Sequence, residues 1–315
     1  MFCFVKKLVL TLLLVSSITA CSVNNGQNAN QEGSRAMGNQ QYKPLPLTVE
    51  ELRISKALIA MPEIQHFFDW ADFKQDWDKQ TDFYRAKQSV SALAGELWQY
   101  SKQQAQLGAL VDDRPLYWTR LIINAFIKQH SQAFSQSETM ALVEVFENAS
   151  RGRSDLTYRQ KVDKRILITG FDPFLLDRNI DQSNPSGLAA LLLDGTVIEY
   201  EGEDGVVSAE INAAMIPVRY EDFEQGEIES LLAPFYAVNR VDLIATISMG
   251  RTDFDLEHFP GLRRSAKVPD NVNIYTGASK TNPIVPLLSK KPLSNKEFVL
   301  FILPVKAIQR PKGPY

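Results

Sequence analysis

Cysteine is nearly absent from this 315-residue chain: Cys3 and Cys21 are the only two. The body of the sequence therefore cannot assemble a disulfide framework, a cysteine-based zinc site or a thiol nucleophile. Histidine is almost as scarce. His66, His130 and His258 stand apart from one another and from either cysteine, so no metal and no cofactor is expected. Charge of one sign is also lacking, with a formal net charge of −3 and a pI near 5.8, and nothing in that balance calls for a nucleic-acid partner. Glycine is missing where a dinucleotide fold would need it: no second and third glycine follow ILITG at residues 166–170, and Pro173 occupies the turn that would cradle a phosphate. Asp69, Asp72, Asp76, Asp78 and Asp82 lack the Asp-x-Asp-x-Asp-Gly loop of a calcium site and read as solvated helix faces.

What is present begins with an address. Residues 1–21, MFCFVKKLVLTLLLVSSITAC, place two lysines before an apolar run and small residues after it, the layout of a secretory signal and too short for a stable membrane span. Its end, ITAC, resembles the lipobox of bacterial lipoproteins. That resemblance implies lipidation of Cys21 and, with Ser22 rather than Asp next in line, attachment to the outer membrane facing the periplasm. Several acyl chains would make that attachment firm, since one alone gives marginal binding. Residues 22–46 are mostly Asn, Gln, Gly and Ser, which cannot offset their ordering entropy by burial and read as a flexible tether.

At this length, with 44% hydrophobic residues, two domains are expected beyond the tether. Residues 47–160 read as an all-α domain. Thr48 and Glu51 have the spacing of a capping box before a helix over residues 49–60, which Pro62 stops. Further helical patterns cover residues 81–107, 115–132 and 137–149, the second with Asp112 or Asp113 as cap and Leu116, Leu121, Ile122, Ala125 and Phe126 on its apolar stripe. The aromatics Phe67, Phe68, Trp70, Phe73, Trp77, Phe83 and Tyr84 read as core, given the burial energy such rings carry. No activity can be assigned to this domain.

Residues 161–315 have a different texture. An apolar strand RILITGF, a helical stretch over residues 184–193, two strands joined by a glycine-containing turn within residues 196–218, a helix over residues 220–234 and the strand VDLIATIS predict an α/β sandwich with a largely parallel sheet. Ligands of such sheets bind beyond the carboxyl ends of strands, where residues 170–174 and 248–257 lie.

This region resembles pyroglutamyl peptidase I, the cysteine peptidases that remove N-terminal pyroglutamate. The pieces that carry the resemblance are TGFDPF (169–174), NPS (184–186), IPV (216–218), DLI (242–244), MGRTDFDLE (249–257), VPDN (268–271), PI (283–284) and LPVKAI (303–308), all in order. The resemblance implies an α/β/α sandwich, here incomplete. It also implies a pocket in which Phe171 and Phe174 hold the flat, neutral lactam of pyroglutamyl peptides. Glu257 matches the acid of the family's Cys-His-acid triad. Lys267 stands where the family commonly has Arg, and Met249 and residues 259–265 depart from its pattern. The family's Cys and His lie beyond the last matched piece and are not found before Tyr315. The expectation is a C-terminally truncated, inactive member, the product of a frameshift or early stop, that leaves part of its sheet uncovered and folds poorly. The alternative is a non-catalytic envelope lipoprotein that binds a peptide or other partner.

Overall fold

A computed structural model describes residues 43–159, 161–202, 205–236, 240–250 and 255–301. Residues 42–315 form one compact unit. Cys21 and residues 303–308 lie outside the described residues, as do the signal and most of the tether.

The helical region comprises α1 (Val49–Leu52), α2 (Ile54–Ala60), a 3-10 turn (Pro62–His66), α3 (Ala71–Trp77), α4 (Phe83–Gln106), α5 (Arg114–Gln129) and α6 (Gln136–Ser150). The capping box is present: Glu51 N donates to Thr48 Oγ1 at 3.2 Å, and Thr48 N donates to Glu51 Oε2 at 2.6 Å. The helix it opens is broken at Arg53, so the single element expected over residues 49–60 is two short ones. A second capping box, Ser135 with Glu138, opens α6 one residue before the predicted start. Asp82 caps α4. Asp113 stands at the N-cap of α5 yet makes no capping bond there, because its carboxylate is used elsewhere. Of the predicted aromatic core, Trp77 is buried and Phe67, Phe68, Trp70, Phe73 and Phe83 pack against it, whereas Tyr84 is 76% exposed.

The sheet region follows with β1 (Lys164–Phe171), α7 (Pro185–Leu193), β2 (Val197–Gly202), β3 (Gly205–Ile216), α8 (Tyr220–Glu224), α9 (Glu227–Tyr236), β4 (Leu243–Thr246) and the short pair β5 (Leu287–Leu288) and β6 (Lys291–Pro292). Gly226, at φ +88°, divides the predicted helix over residues 220–234 into α8 and α9. The main sheet has the order β2-β3-β1-β4. β1 runs parallel to β3 and to β4, and β2 pairs antiparallel with β3, so the sheet is mixed, with two of its three pairings parallel.

One apolar core runs through both regions. Trp98 and Leu97 of α4 and Leu142 and Phe146 of α6 share it with Ile168 of β1, Ala190 and Leu191 of α7, and Ala213 and Met215 of β3. Full burial of each large apolar side chain contributes about 1.5–3 kcal/mol, so neither region is energetically self-contained. The backbone crosses the seam as well, where Met215 N donates to Arg151 O at 2.9 Å. Gly152, at φ +75°, lies so close to the Trp98 ring that an added Cβ would sit 2.4 Å from it.

Candidate functional site

The carboxyl ends of β1 and β3 gather sequence pieces that are far apart in the chain. Gly170 permits the closest approach: an added Cβ would lie 2.2 Å from the backbone oxygen of Ser186, so the NPS segment seats directly on the end of β1. Phe171 N donates to Ser186 Oγ at 3.1 Å. Asn184 caps α7 by accepting from Ser186 N, and its Nδ2 donates to Asp172 O at 3.0 Å. Asp172 N donates to Ile216 O, which ties TGFDPF to IPV. Asn271 closes the set, with Nδ2 donating to Pro173 O at 2.8 Å and N donating to Val218 O at 2.9 Å. TGFDPF, NPS, IPV and VPDN are thus joined by hydrogen bonds at a single place.

Three of these pieces, and the residue that follows the fourth, are also gripped from the helical region, a feature the sequence reading missed. Asp172 is fully buried and its Oδ2 accepts from Arg120 Nη2 of α5 and from Arg151 Nη1 just past α6, both at 2.8 Å. Asp113 Oδ1 accepts from Asn184 N at 2.9 Å. Glu50 accepts from Arg219 Nε at 2.5 Å and from the Tyr117 hydroxyl at 2.9 Å. Arg53, at the α1–α2 break, donates to Asn271 O at 2.6 Å, and its Nε and Nη2 make a two-pronged bond to Asp177.

The cluster shifts the ionisation of Glu147, Arg151 and Asp113. Burial alone would keep Glu147 protonated, but Arg151, Arg120 and Arg219 outweigh it and hold the carboxyl well below the usual carboxylate range. Burial likewise opposes the charge on Arg151, and Asp172 and Glu147 more than restore it. Burial pushes Asp113 up to about 8 despite the bond from Asn184 N. Asp172 Oδ1 and Arg120 Nη1 are buried without a hydrogen-bond partner. The network is therefore held at a desolvation cost, and removing one charge exposes that cost in full.

Phe171 and Phe174 are both half-buried and flank Asp172 and Pro173 in the same turn. The Phe171 ring stacks with Phe223 of α8 at 6.4 Å and 12° between planes. Leu175, next in line, has φ +61°, a left-handed conformation uncommon for a residue with a branched side chain. A cavity of about 450 Å³ opens beside this turn, lined among others by Arg53, Leu176, Asp177, Asn271, Asn273 and Tyr275. Glu257 is exposed and makes no hydrogen bond or ion pair with another described residue. The ring of its neighbour His258 lies 4.4 Å from that of Phe259, tilted by 42°. The turn and the acid are not brought together by any bond, and residues 251–254 of the piece carrying Glu257 lie outside the described residues. Among the described residues no three of His, Cys, Asp and Glu gather to ligate a metal, and no helix is long and apolar enough to cross a membrane.

A signal for the missed clamp was available. Arg120 sits four residues after Leu116 and three before Ile123, on a helical stripe that is otherwise apolar, and a charge there must find a buried partner.

Comparison with known proteins divides the chain at the same seam. Residues 29–147 match a family model described as the PA0049 N-terminal domain, and residues 165–296 match one described as PA0049, C-terminal domain. No solved structure matches. An uncharacterized protein PA0049 of Pseudomonas aeruginosa is 33% identical over 234 residues, which cover 66% of this chain and 42% of that protein, so the chain is similar to it while spanning under half its length.

Proposed function

We propose that the sheet region is a pyroglutamyl-peptidase-like α/β sandwich whose FDPF turn binds a lactam, and that the residues present here bind pyroglutamyl groups without cleaving them. The supporting observation is the convergence of TGFDPF, NPS, IPV and VPDN, pieces noted from resemblance alone, into one hydrogen-bonded site at the ends of β1 and β3. Such ends are where open α/β sheets place their ligands. Phe171 and Phe174 supply apolar faces for a flat lactam, and the surrounding backbone polar groups set its orientation.

Acyl transfer to a thiolate needs a cysteine with a histidine beside it. Residues 43–301 contain no cysteine, and Glu257 has no imidazole to orient. The reading extends to location: the chain is held by lipid on Cys21 at the outer membrane, facing the periplasm, with residues 22–46 as tether.

Titration of the purified protein with a pyroglutamyl amide, followed by ligand-observed NMR, tests the binding. Saturable binding weakened at least about tenfold by Phe171→Ala and Phe174→Ala is expected, in line with loss of an aromatic wall. No binding to wild type would reject the lactam pocket. Release of a coumarin from its pyroglutamyl amide would reject the claim that these residues do not cleave.

A further inference from the structure

The helical region has no chemistry of its own in the sequence, and the resemblance to a peptidase stops short of it. Its polar side chains nevertheless reach three of the pieces that build the site and the residue next to the fourth. Arg120 and Arg151 hold Asp172, Asp113 holds the amide of Asn184, Arg53 holds the carbonyl of Asn271, and Glu50 holds Arg219 just after IPV. Other polar bonds cross the seam as well, from Trp98, Lys102 and Gln106 to Asp194 at the end of α7 and from Tyr158 to the backbone of β1, around an apolar core built on Trp98, Leu142 and Phe146. What distinguishes the bonds at the carboxyl end of the sheet is that they fall on groups that set loop position. Asp172 lies between Phe171 and Phe174, and Asn184 begins the helix whose Ser186 receives the Phe171 amide.

We propose that Arg53, Asp113, Arg120 and Arg151 are positioning residues of the candidate site: from the helical region they fix the FDPF turn and the two loops bonded to it, so that the pocket takes its shape only while that region is docked. Asp172 is the node. Both its arginines approach the same oxygen, and its side chain is fully buried, out of reach of bulk solvent. Loss of one leaves the turn tethered on one side, free to swing on the other. Coupling of this kind is reciprocal, so a ligand seated in the turn also tightens the docking of α5 and the end of α6. The lactam pocket as ligand site rests on the function proposed above; the mechanical role of the four residues does not.

The test uses the full chain, with hydrogen exchange resolved by segment, in Arg120→Met, Arg120→Lys and Asp172→Asn. In folded Arg120→Met, amides of residues 170–176 and 184–188 are expected to exchange at least about tenfold faster, while those of α4 stay within about twofold of wild type. Arg120→Lys, which keeps the charge, should recover part of that protection. Unchanged exchange at the turn overturns the proposal, and so does an equal rise across α4, which would mark the bond as general stabilisation. Should Arg120→Met fail to fold, Asp172→Asn, of equal shape, gives the same reading. A second arm measures binding of free pyroglutamate: a tenfold or greater weakening in Arg120→Met supports the proposal, and unchanged affinity overturns it. If wild type binds no pyroglutamate the lactam reading falls, and the exchange arm alone then decides the positioning role.

Discussion

The helical and sheet regions manage their surfaces in different ways. The helical region buries three of its four tryptophans to 2% exposure or less and opens three of its helices on side-chain caps. The sheet region buries β1 and the end of β3 but leaves β4 half-covered at the sheet edge, with Leu243, Phe259, Phe298 and Phe301 all more than a third exposed. Parallel strands are ordinarily covered on both faces, so this side of the sheet depends on other contacts for its order. The contrast shows where the site draws its rigidity. Among the described residues no hydrogen bond reaches residues 171–174 from β4, whereas arginines of α5 and of the segment after α6 hold Asp172.

The comparison can be broken most forcefully at Trp98. This ring is in α4, but its neighbours include residues of α7 and β3, so Trp98→Ala should cost about 3–5 kcal/mol and lower the stability of both regions together. A urea titration followed in each region would show the loss, and a loss confined to the helical region would mean that the shared core is not a cooperative one.

Gly170→Ala separates the site from the core. Its Cβ would meet the backbone oxygen of Ser186, which cannot rotate away, and should cost about 1–3 kcal/mol while displacing α7 from the end of β1. Amide chemical shifts of residues 171–174 and 184–187 should move, with those of α3 and α6 unchanged.

A third prediction is a pH dependence. Burial raises the folded Asp113 carboxyl from its ordinary 3.8 to about 8, so between those values the folded state holds a proton that the unfolded state releases. That raised value makes wild-type stability decline as pH rises from about 4 to about 8 and then level off. Asp113→Asn removes this contribution, so the stability of the variant relative to wild type should climb across the same window. Equal pH profiles would show that Asp113 is ionised in the folded protein.

Much of this was readable beforehand from local rules. Thr48 with Glu51 announced a helix start, Pro62 its stop, and RILITGF a buried strand, because caps and apolar runs act within a few residues. The motif pieces at the ends of β1 and β3 were readable only through resemblance, since nothing local in NPS or VPDN says that they meet. The roles of Asp113 and Arg120 were not read at all. Asp113 has the position of a helix cap, and its diversion to Asn184 depends on a contact 71 residues away. Arg120 did leave a trace, as a charge on an apolar stripe, but its partner Asp172 resembles any turn aspartate before a proline. Long-range ion pairs have no fixed spacing, so composition and period are silent about them.

The central claim is that the two regions are one structural unit with the site at their seam. All four tryptophans, Trp70, Trp77, Trp98 and Trp118, lie in the helical region, so their fluorescence follows that region, with Trp98 also sensing its contacts with α7 and β3, while hydrogen exchange at β1 and β3 reports on the sheet. Urea unfolding followed by both should give coincident midpoints, as expected of a single cooperative transition. Loss of β1 and β3 protection at a urea concentration where the tryptophan signal is still native would contradict the account.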